Sequence, residues 1–192
     1  SEAQAVLAAA KSEAELIKSD AEKQAIADSE LLLSMTKDKA QDIIRKAKEF
    51  NNRITFAYVG AFRYPNTIFR FARIIGEYFP QYEYHFYGNS PLTPLVLELT
   101  NKYSNIKYFG VFKSPEDLQN IYSNVDIVTA CYDNTGLNEQ IAEPNKLYEA
   151  ICFCCPIIVS EGTFIANKVK SLGIGYIINP NDDESIIKFL KN

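Results

Sequence analysis

The stretch EPNKLYEAICFCCPIIVS, residues 143–160, carries a helix signal followed at once by a strand signal. Pro144 fits the first position of a helix or the residue before it. Lys146 and Glu149 then share one helix face, because residues three apart are neighbours there. The run PIIVS, residues 156–160, is continuously apolar, as in strands that are buried on both faces of a parallel sheet. The stretch therefore predicts a helix–strand unit of an α/β fold.

The same alternation continues along the chain from Arg53 onward, where each of six short apolar runs is followed by a helical pattern. Such alternation predicts a Rossmann-like, doubly wound parallel sheet with right-handed crossovers and strand order 3-2-1-4-5-6. The predicted strands are Ile54–Gly60, Tyr82–Gly88, Ile106–Gly110, Asp126–Tyr132, Pro156–Ser160 and Gly175–Asn179.

Residues 1–51 differ from the rest in composition. They contain no glycine or proline, and they are rich in Ala, Glu, Lys, Gln and Leu, which are good helix formers. We therefore predict a helical arm or linker over 1–51, which could break near 34–36 where Thr36 fits a helix start, and a second domain over 52–192. The alanine-lined stripe of the arm suits packing on another helix, in the same chain or in a partner.

Composition also limits the function classes. The net charge of −4 over 192 residues disfavours a general nucleic-acid role, because such domains usually carry a basic excess. No apolar run approaches the ~20 residues of a membrane-spanning helix, and the chain does not begin with a signal-peptide pattern. We expect a cytoplasmic protein that can still associate peripherally with a membrane. The four cysteines have no zinc-ligand spacing and predict reduced, mostly structural thiols.

Doubly wound sheets bind ligands at the carboxyl ends of their strands. The first three predicted strands end in glycine, at Gly60, Gly88 and Gly110. This favours a ligand lying against bare backbone, although glycine is also common in turns. A helix begins near Asn66, where free N–H groups favour phosphate, and Arg63 adds a positive charge. The loop has neither a dinucleotide fingerprint nor a P-loop.

Lys146 and Glu149 form the second half of the predicted site. A lysine in the first turn of a helix is unfavourable for the helix dipole unless an anion, such as a diphosphate, binds there. Glu149 is placed to accept hydrogen bonds from a sugar diol. From the residues alone, a surface ion pair is the preferred interpretation of the pattern. The long polar loop 133–143 that precedes them is a candidate binding loop.

Three segments resemble the C-terminal domain of GT-B glycosyltransferases, in the family-four-like group that uses nucleotide sugars. YVGAFRYPN (58–66) is similar to that family's first strand and helix entry. IKYFGVFKSPEDLQNIYSNVDIVTACY (106–132) is similar to its middle segment, and PNKLYEAICFCCPIIVS (144–160) to its most specific motif. The resemblance extends from about Ile54 to Leu190.

The resemblance implies that Lys146 meets the donor diphosphate and that Glu149 holds the ribose of the nucleotide. It places Gly60 and Arg63 by the phosphates. The full predicted donor-binding set is Gly60, Arg63, Asn66, Gly88, Gly110, Glu143, Asn145, Lys146, Leu147 and Glu149. No metal or other cofactor is implied, because helix N-termini and basic side chains stabilise the departing diphosphate. Catalytic residues stay unassigned.

Three positions depart from the family pattern. The glutamate that many members carry eight positions before the ribose-binding one is Ile141 here, and both Glu139 and Glu143 are near enough to replace it. The arginine after the first glycine is Ala61. The helix-ending glycine aligns with Cys154, so the bend there needs another solution.

A complete GT-B enzyme has two domains, with the acceptor and catalytic groups mostly on the first. We therefore predict a donor nucleotide-sugar-binding domain of a hexosyltransferase-type enzyme, acting on a carbohydrate or lipid-linked acceptor and inactive without an acceptor domain. Residues 1–50 would bind that domain or a second copy. The alternatives are a non-catalytic Rossmann-like assembly module that oligomerises through the arm, and a cysteine-dependent redox protein.

Overall fold

The computed structural model describes residues 2–50, 53–133 and 136–191. They form a six-stranded, all-parallel sheet in the order β3-β2-β1-β4-β5-β6, which confirms the predicted Rossmann-like topology. The strands are β1 Thr55–Val59, β2 Glu83–Tyr87, β3 Ile106–Tyr108, β4 Ile127–Ala130, β5 Ile157–Ser160 and β6 Gly175–Ile178. The helices are α1 Glu2–Phe50, α2 Pro65–Tyr78, α3 Thr93–Lys102, α4 Leu118–Ser123, α5 Leu137–Ile141, α6 Asn145–Cys152, α7 Phe164–Leu172 and α8 Asp183–Lys191.

The centre of the sheet lies in the hydrophobic core. Every residue of β2, β4 and β5 is buried, as expected for strands between two covering layers. β1 lies between β2 and β4, so the strand order reverses beside it. Ligand sites of doubly wound sheets lie at this switch point.

α1 is one continuous helix from Glu2 to Phe50, so the break considered near 34–36 is absent. Thr36 is buried within the helix, and its hydroxyl donates a hydrogen bond to the carbonyl oxygen of Leu32 at 2.8 Å. A threonine that bonds one turn back leaves the helix intact, with at most a slight bend. The helix-start signal at Thr36 is therefore not used.

The two halves of α1 differ in their surroundings. In the second half, Ala40 and Ile43 are buried, and the Tyr176 hydroxyl on β6 donates to the Ala40 carbonyl oxygen at 2.9 Å. In the first half, residues 11–31 are exposed apart from the partly exposed Ser19. Packing within the chain thus orders the second half. Whether the first half binds a second copy or another domain stays a prediction.

α4 begins at Leu118, three residues after Pro115. The Asp117 carboxylate accepts a hydrogen bond from the Lys113 backbone N–H at 2.7 Å, and the Asp117 N–H donates to the Lys113 carbonyl oxygen. These bonds close residues 113–117 into a turn before the helix. The long loop 133–143 likewise contains the short helix α5.

α6 ends in a left-handed turn at Cys154, whose φ is 50°. The Cys154 N–H donates to the Ile151 carbonyl oxygen at 3.0 Å, and the Cys155 N–H donates to the Ala150 carbonyl oxygen at 2.7 Å. This is the Schellman pattern that usually ends on glycine. Cys154 therefore makes the bend itself, in a conformation that costs an L residue roughly 1–2 kcal/mol.

No helix within the three described ranges is both long and apolar enough to cross a membrane.

Candidate functional site

A cleft of about 390 Å3 opens beside the carboxyl ends of β1 and β4, at the switch point of the sheet. Three main segments line it: the end of β1 with its loop, the residue Tyr132 after β4, and the start of α6. The lining residues are Tyr58, Val59, Gly60, Ala61, Arg63, Tyr64, Phe112, Ser114, Tyr132, Ala142, Pro144, Asn145, Lys146 and Glu149.

Five of the ten predicted donor-binding residues line this cleft. They are Gly60, Arg63, Asn145, Lys146 and Glu149. Gly60 and Arg63 come from the loop after β1, whereas the other three come from α6, more than 80 residues later in the sequence. Folding therefore joins two motifs that the sequence presents separately.

A larger residue at position 60 would crowd the Lys146 ammonium. Gly60 has φ of 131°, and a β-carbon there would lie 3.0 Å from the Lys146 Nζ. The Gly60 N–H donates to the Tyr87 carbonyl oxygen at 2.8 Å, which fixes the backbone at the end of β1. The glycine thus leaves room for the lysine ammonium at the carboxyl end of the strand.

The Lys146 ammonium lies over two aromatic rings. It is 4.3 Å from the ring centre of Tyr58 and 5.8 Å from that of Tyr132, both within cation–π range. Burial lowers the pKa of Lys146 to about 8; the nearby Arg63 also lowers it, and Glu149 acts in the opposite direction. A partly desolvated cation with a second cation beside it favours an anionic ligand.

Glu149 faces Lys146 along α6, with Tyr122 of α4 behind it. The Tyr122 hydroxyl donates a hydrogen bond to Glu149 Oε2 at 2.9 Å. Glu149 lines the cleft and Tyr122 does not. The wall of the cleft therefore presents a carboxylate beside two cations.

Two predicted residues are held at the strand ends instead of in the cleft. The Gly88 N–H donates to the Gly110 carbonyl oxygen at 2.7 Å. A β-carbon on Gly88 would clash with the Gly60 carbonyl oxygen, whereas one on Gly110 would meet nothing within 4 Å. Close packing of backbone explains Gly88 without a ligand.

The other three predicted residues also lie outside the cleft. Leu147 is 1% exposed and belongs to the core. Glu143 forms an ion pair with Lys168 on the surface and accepts a hydrogen bond from Tyr148. Asn66 lies in the first turn of α2, beside a separate shallow depression. Leu147 directly follows Lys146 in α6, and consecutive residues of a helix point to different sides, which turns Leu147 into the core.

Sequence reasoning missed the aromatic side chains of the cleft. Tyr64 and Tyr132 have ring centres 4.9 Å apart, and Tyr58 lies beneath Lys146. Burial raises the pKa of Tyr64, and a hydrogen bond with Glu139 raises it further. Of the two glutamates left open by the sequence, Glu139 is therefore the one beside the cleft. The sequence offered one signal for them, because Tyr58 near the end of β1 and Tyr132 after β4 are aromatic residues at ligand-facing strand ends.

Two of the four cysteines, Cys131 and Cys155, are buried and unreactive. Burial raises the pKa of Cys155 to about 12 and that of Cys131 well above its ordinary value. Neither thiol is a thiolate at neutral pH, and the thiolate is the reactive form. Across the described ranges, no three His, Cys, Asp or Glu side chains are grouped so that they could hold a metal ion. The expectation that donor binding needs no metal ion stays a prediction.

The fold and the cleft together define a Rossmann-like domain with a cleft lined by Lys146 and Arg63 at the switch point of the sheet. The family model of glycosyl transferases group 1 matches residues 39–192. The chain belongs to this family, and the predicted resemblance to GT-B glycosyltransferases is confirmed. The match begins within the half of α1 that packs on the sheet.

Solved structures share the fold at low identity. HepE of Anabaena, solved in complex with UDP-glucose, is 13% identical with a TM-score of 0.56, over 80% of this chain and 42% of HepE. WaaG, a glycosyltransferase involved in lipopolysaccharide biosynthesis, is 16% identical with a TM-score of 0.53, over 80% and 42% of the two chains. WaaB, a lipopolysaccharide outer core galactosyltransferase, is 17% identical with a TM-score of 0.53, over 74% and 40%.

The chain thus spans about two-fifths of the length of each of these proteins. Comparison with curated proteins gave no match.

Proposed function

We propose that this chain is the donor-binding domain of a glycosyltransferase and binds a nucleotide-diphosphate sugar in the cleft. The observation that carries the proposal is the convergence of Lys146, Arg63 and Gly60 with Glu149 at the switch point. Positive charge and bare backbone on one side suit a diphosphate, and the carboxylate suits the hydroxyls of a ribose. HepE is solved in complex with UDP-glucose, which makes UDP the first ligand to test.

The same groups would stabilise the leaving nucleoside diphosphate. Transfer of the sugar leaves negative charge on the diphosphate, and Lys146 and Arg63 both line the cleft that would hold it. Fixed charges that face developing charge lower the barrier to reaction. In this proposal the cations perform the task without a metal or other cofactor.

The acceptor would come from outside this domain. The chain spans about two-fifths of its structural relatives, and we place a carbohydrate or lipid-linked acceptor on another domain or subunit. Transfer would take place on the cytoplasmic side, with the domain free to associate peripherally with a membrane. The chain would then be inactive alone while still binding the donor.

Calorimetric titration of UDP, GDP and ADP into the protein tests the proposal. At least one should bind, and binding should survive chelation of divalent metals. Glu149→Ala should weaken it by roughly 5- to 150-fold, equal to 1–3 kcal/mol for losing buried polar contacts. The matched control is Glu143→Ala, which removes a glutamate six residues earlier and outside the cleft. Equal affinity in wild type and Glu149→Ala would refute the assignment of Glu149.

A non-catalytic assembly module remains the second candidate because the first half of α1 exposes apolar side chains. Leu16, Ile17 and Ile26 are each more than 60% exposed. The double variant Leu16→Glu, Ile17→Glu should lose self-association in sedimentation experiments if this surface pairs with a second copy. Self-association lost in this variant, together with no binding of any nucleotide by wild type, would favour the assembly module over the donor-binding domain.

A further inference from the structure

We infer that Tyr122 is a positioning residue that holds the Glu149 carboxylate in place for the ribose hydroxyls of the donor. It thereby sets the preference of the cleft for ribonucleotides over deoxyribonucleotides. The inference rests on the proposed function, since it gives Tyr122 a role in the same site without contact to the ligand.

The geometry gives Tyr122 a single polar task. Its side chain is 1% exposed and lies in the hydrophobic core with its neighbours Leu118 and Ile121 on α4. Its hydroxyl donates to Glu149 Oε2 at 2.9 Å, across 27 residues of sequence. A buried hydroxyl must have a partner, and here the partner is a side chain of the cleft wall.

The proton in this hydrogen bond belongs to Tyr122. Burial raises the pKa of Tyr122 well above its ordinary value, and the negative charge of Glu149 raises it further. The phenol therefore stays protonated and gives its one hydrogen to Oε2. With Oε2 held in this way, Oε1 is the carboxylate oxygen left to accept a hydrogen bond from a ligand hydroxyl.

Phe153 contacts both Tyr122 and the backbone of Glu149. Its ring stacks on Tyr122 with ring centres 5.0 Å apart and planes 19° from parallel. Its backbone N–H donates to the Glu149 carbonyl oxygen at 3.0 Å. The turn that carries Glu149 thus also carries the ring that holds Tyr122, so hydroxyl and carboxylate keep their relative position.

A carboxylate fixed before binding loses less conformational freedom when a ligand arrives than one that is free to rotate. The benefit applies only to ligands that contact the carboxylate. A nucleotide that lacks a ribose hydroxyl should gain little from it. Tyr122→Phe, which removes one oxygen and keeps the ring, should therefore weaken a ribonucleotide more than its deoxy counterpart.

The test is calorimetric titration of UDP and 2′-deoxy-UDP, or the matching GDP or ADP pair if that base binds. Wild type should prefer the ribonucleotide. Tyr122→Phe should reduce that preference about 2- to 13-fold, the net effect of one typical hydrogen bond. Glu149→Gln should reduce it as well, and the double variant should add little, because the two residues act through one contact.

Tyr84→Phe is the matched control, because it removes another buried tyrosine hydroxyl. That hydroxyl forms a hydrogen bond with Thr129 Oγ1 at 2.6 Å, away from the cleft. It should leave the preference unchanged. Phe153→Leu, which removes only the stacking ring, should change the preference in the same direction as Tyr122→Phe, and thermal melts should show that each variant is folded.

The outcomes separate the two proposals. If wild type binds a ribonucleotide preferentially and folded Tyr122→Phe keeps the full preference, this inference fails and the proposed function stands. A wild type that binds ribo- and deoxyribonucleotides equally also overturns the inference. If wild type binds no nucleoside diphosphate, both proposals fail.

Discussion

Raising the pH from 7 to 9.5 perturbs the cleft at Lys146, which titrates in that interval. Burial lowers the pKa of its ammonium to about 8. Tyr58 and Tyr132, which lie beneath it, stay neutral because burial raises the pKa of both hydroxyls well above 10. Below pH 8 the lysine is charged and attracts a diphosphate; above pH 8 it is neutral in the free protein.

The magnitude follows from the titration. With a pKa of about 8, roughly nine-tenths of Lys146 is charged at pH 7 and about 3% at pH 9.5. A bound diphosphate raises the pKa of the lysine in the complex, so binding above pH 8 must include the uptake of a proton. Affinity should therefore fall about 30-fold between pH 7 and 9.5, with about 0.75 protons taken up at pH 8.5.

Calorimetric titration in buffers of different ionisation enthalpy measures both quantities. Lys146→Arg should bind with little dependence on pH, because arginine stays charged throughout, and Lys146→Met should bind weakly at every pH. Lys168→Met serves as the control, since Lys168 pairs with Glu143 outside the cleft. An affinity that is constant from pH 7 to 9.5, or an equal decline in Lys146→Met, would refute the role given to Lys146.

Three further predictions concern the structure around the cleft. Lys146→Met should raise the free energy of unfolding at pH 7 by about 1–3 kcal/mol, because the folded state lowers the pKa of a lysine that is freely charged in the unfolded chain. The gain should be full below pH 8 and vanish near pH 10.4, and urea unfolding at several pH values would measure it. Cys154→Gly should exceed Cys154→Ala in stability by about 1–2 kcal/mol, since only glycine relieves the φ of 50°; equal unfolding midpoints would contradict the strain assigned there. Gly60→Ala should lower nucleotide affinity at least tenfold by displacing Lys146. Gly110 also has a positive φ, but a new β-carbon there would meet nothing within 4 Å, so Gly110→Ala should strain the backbone and leave affinity unchanged.

The fold follows from local patterns that survive folding. Apolar runs separated by helical segments require a parallel sheet with covered faces, and the order of the strands follows from known crossover preferences. Lys146 and Glu149 were predictable because one helix turn places them on the same side. Thr36 shows the limit, since its helix-start signal competes with a bond to Leu32 that only a continuous helix provides.

The parts of the site that sequence reasoning missed depend on contacts between distant segments. Tyr58 and Tyr132 meet only because β1 and β4 are neighbours in the sheet. Tyr122 reaches Glu149 across 27 residues of sequence, and nothing in either segment alone indicates this contact. Glu139 and Glu143 lie only four residues apart, yet Glu139 contacts Tyr64 and Glu143 contacts Lys168. These partners depend on the folded structure and cannot be read from the sequence.

The most direct test of the nucleotide site is a UDP titration followed by backbone amide shifts in an NMR spectrum. We expect saturable shifts at Gly60, Ala61 and Arg63 and at Lys146 and Glu149, with those of residues 11–31 unchanged. Shifts confined to the arm or to the surface near Arg70, or no saturable shifts with UDP, GDP or ADP, would contradict a nucleotide site at the switch point.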